Sequence, residues 1–80
     1  ILGINKSEKI KIEIFPNPCF NEINIKNINS NTHFEIKDMY NNTVLTGSIT
    51  QDPINVEKLS CGVYFFSIEK ENKYQKFIKL

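Results

Sequence analysis

Two cysteines, one histidine and nine carboxylates are the residues of this chain best suited to chemistry. A Cys–His nucleophile would need His33 within hydrogen-bond reach of Cys19 or Cys61, so that the imidazole could take up the thiol proton. A zinc site needs about four ligands at suitable spacing, and two Cys with one His fall short of that. A glycosidase-like carboxylate pair needs an enclosed cleft. Here the carboxylates alternate with lysines, as in Lys11-Ile12-Glu13 and Glu35-Ile36-Lys37. This inventory argues against an enzyme, and no cofactor or metal is expected.

Charge points away from several partners as well. The formal net charge is +1 and every basic residue except His33 is lysine. Nucleic acid calls for a clustered basic face, and arginine is the usual reader of phosphates and guanine edges. Neither feature is present, so no nucleic acid and no small-molecule substrate is expected. Eighty residues make one small domain, since a chain of this size buries only about 60% of its unfolded surface. No apolar run approaches a bilayer span. The start at Ile1, with no leader behind it, suggests a piece of a longer protein.

The elements that must position these residues follow a period of two. Ile10, Ile12 and Ile14 alternate with Lys9, Lys11 and Glu13, the pattern of a strand with one wet face. Ile23 and Ile25 repeat it between Glu22, Asn24 and Lys26, and Phe34 and Ile36 between His33, Glu35 and Lys37. Weaker strands are expected over Thr43 to Ser48 and Ile54 to Val56. The strongest covers Gly62 to Glu69, rich in aromatic and β-branched residues, and a last one runs from Lys73 to Leu80. Turn formers separate them: Pro16-Asn17-Pro18, Asn27 to Asn31, Asn41-Asn42, Asp52-Pro53 and Glu71-Asn72. Seven short strands without a helix predict a small all-β domain, an antiparallel sandwich of immunoglobulin-like type. Residues 1–8 read as a linker from an upstream domain and 9–80 as the domain itself.

If each strand reverses its predecessor, alternate loops share a pole. Pro16-Asn17-Pro18, Asn41-Asn42, Ser60-Cys61 and Leu80 then gather at one end, with the linker entering at the other. His33 begins its strand at the far pole, on the wet face, which separates it from both cysteines.

Three stretches stand out at the shared pole. Pro16-Asn17-Pro18 fixes two φ angles and removes two backbone donors, so it stops a strand and sets a rigid corner. In Leu59-Ser60-Cys61-Gly62-Val63-Tyr64, the tyrosine just after a corner can fold over the core and bond its hydroxyl to upstream backbone. Gly62 would permit the unusual backbone such a corner needs. Lys76 and Lys79 bracket Phe77 and Ile78 on the last strand. Lysines there discourage pairing with other chains, although a terminal strand with free edge groups also suits docking by β-augmentation.

In order and spacing, these stretches resemble the C-terminal sorting domain (type A) of proteins exported by the type IX (Por) secretion system. The likeness covers about Ile10 to Leu80. An aromatic residue before Pro-Asn-Pro opens the family's conserved region, and Phe15 stands where Tyr is common. The family's Leu, two variable residues, Gly, aliphatic, Tyr is kept in Leu59 to Tyr64. A terminal Lys-aliphatic-aliphatic-Lys strand is matched by Lys76 to Lys79. The departures are Asn41 and Asn42 where Gly is usual, and Cys19 and Cys61 where small residues are more frequent. Asn tolerates positive φ, so the turn should survive.

The resemblance implies a domain at the end of a cargo protein, carried to the periplasm and read there by the outer-membrane translocon. A sortase-like peptidase then commonly removes it, leaving the cargo secreted or attached to the cell surface. Recognition by those components would rest on Pro16, Asn17, Pro18, Gly62, Tyr64, Lys76, Lys79 and Leu80. For the cysteines two states stay open. A Cys19–Cys61 disulfide, formed in an oxidising compartment, would contribute about 2–4 kcal/mol; the other state is two buried free thiols acting as small apolar residues.

A carbohydrate-binding or adhesion module is the competing class. Such modules usually expose an aromatic platform, often with Trp, and this chain has no Trp. An exposed Phe65 beside Phe77 would make a small apolar patch for a partner or a second copy. A spacer that stabilises a larger enzyme is a third class.

Overall fold

The computed structural model describes residues 12–26, 32–68 and 74–80. Seven strands form: β1 (Glu13–Phe15), β2 (Glu22–Lys26), β3 (His33–Lys37), β4 (Thr43–Ser48), β5 (Ile54–Asn55), β6 (Gly62–Ile68) and β7 (Tyr74–Lys79). The linker Ile1 to Glu8, the first strand's expected start at Lys9 and Ile10, and the turns at Asn27 to Asn31 and Glu71-Asn72 lie outside the described residues. So do the expected ends at Glu69 and Lys73.

The strands make two antiparallel sheets, one ordered β1-β2-β5 and the other β4-β3-β6-β7. This is the expected sandwich. Alternation decides which side chains meet between the sheets. Tyr64, Phe66 and Ile68 of β6 are buried with Phe34 and Ile36 of β3 and Phe77 of β7, and Ile23 of β2 faces them from the other sheet. Phe34 stacks on Phe66 at 5.4 Å between ring centroids, and Tyr64 on Phe77 at 5.8 Å. Phe66 and Phe77 have no exposed surface, and burial of such a side chain contributes about 1.5–3 kcal/mol.

Gly47 sits opposite Phe34 in the β3–β4 register. A Cβ there would lie 3.2 Å from the Phe34 ring, so the missing side chain makes room for that ring. β5 is short for a local reason. Pro53 offers no N–H before it, and after it the Glu57 N–H turns back to the Asn55 side chain at 2.8 Å.

The β3–β4 turn is organised by Asp38, whose carboxylate accepts the N–H of Tyr40 at 2.8 Å and of Asn42 at 2.9 Å. Asn41 takes the positive φ, at 69°, that the sequence assigned to this turn. These bonds hold the Asp38 carboxyl below the usual 3.8, the Asn42 N–H being the largest cause.

Candidate functional site

β7 lies between two partners. On one side Gly62, Val63 and Tyr64 of β6 face Lys79, Ile78 and Phe77. On the other, Cys19 forms a parallel bridge with Lys79. The Cys19 N–H donates to the Ile78 carbonyl at 2.8 Å, and the Leu80 N–H donates to the Cys19 carbonyl at 2.8 Å. Asn17 extends this bridge with its side chain. Its Oδ1 accepts the Ile78 N–H at 2.9 Å, and its Nδ2 donates to the Lys76 carbonyl at 3.3 Å. The stretches Pro16–Pro18, Gly62–Tyr64 and Lys76–Leu80 therefore lie side by side, with Lys79 between Gly62 and Cys19.

The corner before this segment is held from β2. Asn24 Nδ2 donates to the Phe15 carbonyl at 3.4 Å, and Lys26 lies over the Phe15 ring, 5.1 Å from its centroid. The Phe15–Pro16 and Asn17–Pro18 peptide bonds are both cis.

Tyr64 does what the sequence assigned to it. Its hydroxyl donates to the Ser60 carbonyl at 2.7 Å while the ring packs on Phe77. Burial pushes its phenol above the usual 10.0, helped by the negative charge of Asp38, and the bond to Ser60 only partly offsets this. Gly62 has φ 156° with nothing within 4 Å of where a Cβ would stand, so backbone geometry rather than space demands the glycine.

The two lysines part company. Lys76 is exposed, whereas Lys79 is 7% exposed and its Nζ donates to the Leu80 main-chain oxygen at 3.0 Å. In a strand of period two, residues three apart point to opposite faces. Lys79 therefore shares the core face with Phe77, and Ile78 and Leu80 take the exposed one, at 37% and 48%. Lys76 and Lys79 are not a matched pair on one wet edge. The edge itself is not free either, because Asn17 and Cys19 occupy it from Lys76 to Leu80.

The cysteines are free and differently placed: Cys19 is fully buried and Cys61 exposed. The two sulfurs are not bonded to each other here, and of the two thiols expected to be buried only Cys19 is. The bridge to β7 places Cys19 among the core side chains, whereas Cys61 sits on the turn before β6. Burial raises the Cys19 thiol above its ordinary 9.0, with the Lys79 charge opposing, which keeps it protonated and unreactive at neutral pH. His33 is exposed at the start of β3, opposite Ser48. Among the described residues no group of three or more His, Cys, Asp or Glu side chains could hold a metal ion.

The expected Phe65–Phe77 patch does not form. Phe77 faces the core, and the partner of Phe65 is Tyr74, edge-on at 5.8 Å. Near the motif stretches, Asp38, Met39, Ser60 and Cys61 line a depression of about 440 Å³, so the β3–β4 turn faces the β5–β6 loop as strand parity predicted.

Sequence reasoning missed three contributors here. Asp38 organises the turn, and an Asp ahead of Asn41-Asn42 was the available signal. Phe20 is 63% exposed beside the bridge, a large apolar residue outside the alternation. Ser60 supplies the acceptor for Tyr64, which only the corner geometry reveals.

In comparison with known families, the model of the secretion system C-terminal sorting domain matches residues 13–80. No curated protein and no solved structure matches the chain.

Proposed function

The chain belongs to the secretion system C-terminal sorting domain family, and from that premise we propose how it presents its signal. The domain is a C-terminal sorting signal of type IX secretion, acting with the type IX machinery on a cargo fused to its N-terminal side. The cargo passes through the cell envelope toward the surface.

The surface that is read is the motif-bearing pole: Pro16, Asn17, Pro18, Gly62 and Tyr64 with the end of β7. One observation carries this reading. Stretches far apart in sequence are joined by backbone and carboxamide hydrogen bonds around Ile78 and Lys79. Within it, Lys76, Ile78 and Leu80 are the contact residues. Gly62, Tyr64 and Lys79 hold the backbone that displays them. The outer-membrane translocon meets this pole after the protein has reached the periplasm. A sortase-like peptidase then removes the domain, cutting in or before residues 1–8.

The test is an export assay. Residues 1–80 are fused behind a signal peptide and a fluorescent reporter, in a bacterium with type IX machinery and in a mutant lacking its outer-membrane pore. Reporter outside the competent strain alone supports the reading. Reporter retained by both, with the domain folded, overturns it and makes glycan binding the next assay.

A further inference from the structure

The outer edge of β7 is covered by the segment from Asn17 to Cys19. Four main-chain groups there would otherwise face solvent or another chain: the carbonyls of Lys76 and Ile78 and the N–H groups of Ile78 and Leu80. Each has a bond, two to the Asn17 carboxamide and two to the Cys19 backbone, and the Lys76 carbonyl also accepts the Gln75 carboxamide at 3.3 Å. A carboxamide carries a donor and an acceptor in one plane, as a peptide group does. Asn17 thus stands where a peptide of a neighbouring strand would stand, and Cys19 continues the row with real backbone. Pro16 and Pro18 between and before them bring no N–H of their own.

The opposite edge of the same sheet is treated differently. β4 pairs only with β3 among the described strands, and Thr43–Ser48 contains no charge and no proline. Closure is thus specific to the edge that carries the recognised terminus. Open edges recruit other strands, and strand addition is a common mode of peptide recognition.

Building on the sorting reading, we propose that Asn17 and Cys19 act as a surrogate strand that seals β7. The seal keeps two copies of the domain from pairing through their terminal strands, and the signal is read as a closed, folded surface rather than as an extended strand. Asn17 is a positioning residue in this scheme: its carboxamide is engaged by the terminal strand and fixes the pole that is read.

Amide exchange on the intact 80-residue chain tests the seal. In the wild type, the outward amides of Ile78 and Leu80 should be protected as well as the β6-facing amides of Phe77 and Lys79; fast exchange at both overturns the proposal. In Asn17→Ala, exchange at Ile78 should rise about tenfold while β3 amides stay unchanged, and sedimentation should show self-association. Asn17→Asp keeps the acceptor for Ile78 and should restore most of the protection and the monomer. An Asn17→Ala domain that remains folded, monomeric and protected at Ile78 refutes the seal. Export of the wild-type fusion is scored separately. Its failure removes the sorting reading, while exchange and association still decide whether Asn17 closes the edge.

Discussion

The Asn17 side chain accepts the Ile78 main-chain N–H at 2.9 Å across 61 residues of sequence. This contact ties the Pro-Asn-Pro corner to the terminal strand. It also gives the motif a physical role that a plain turn would not have, because the two prolines hold the carboxamide at the position a neighbouring strand would fill.

Tyr64→Phe should lower stability by about 1 kcal/mol, the net value of one hydrogen bond to the Ser60 carbonyl. In a domain of this size that corresponds to a fall in Tm of about 4–8 °C. Urea titration of the pair measures it. An unchanged midpoint would show that water replaces the phenol without cost.

Gly62→Ala and Gly47→Ala should both destabilise, for different reasons. At Gly62 there is open space, and the cost of about 1–3 kcal/mol is backbone strain at φ 156°. At Gly47 the new methyl meets the Phe34 ring at 3.2 Å. Phe34→Leu should therefore relieve the second substitution and leave the first untouched, which a double-mutant cycle resolves.

Stability should fall at both ends of the pH scale. The Asp38 carboxyl is lowered in the folded state, so its contribution is present above 3.8 and is lost as pH drops through the folded value. The Tyr64 phenol is raised, so its contribution is full below 10.0 and disappears as pH climbs through the folded value. Asp38→Asn should flatten the acid limb and Tyr64→Phe the alkaline limb of a stability–pH curve.

Lys76→Ala should change stability by less than about 0.5 kcal/mol, as exposed substitutions usually do. Lys79→Ala should cost more, because it removes a buried alkyl stem as well as a charge. Lys79→Met retains most of the stem and separates the two effects. Reduced export of Lys76→Ala with an unchanged Tm would place Lys76 on the recognised surface; normal export would remove it.

A maleimide should modify one thiol of the folded protein, Cys61, and reach Cys19 only on unfolding. Mass spectrometry counts the adducts. No modification under native conditions would point to a Cys19–Cys61 bridge.

The period of two in the isoleucines and phenylalanines placed β1, β2 and β3, and aromatic and β-branched content placed β6, because alternation and β propensity are local consequences of one face meeting water. The tyrosine corner and the positive φ of Asn41 were legible for the same reason: each depends on residues close in sequence. Lys79 was not. Whether a residue in a terminal strand faces in or out depends on the phase of that strand, and β6 sets that phase through the pairing of Phe77 with Tyr64. The two thiols were equally opaque, since the bridge to β7 buries Cys19 and nothing near Cys61 does the same. Sequence alone therefore determined which elements form and which family they belong to. Only the tertiary structure decided how the motif stretches lie against one another, because hydrogen bonds across 61 residues leave no periodic trace in the chain.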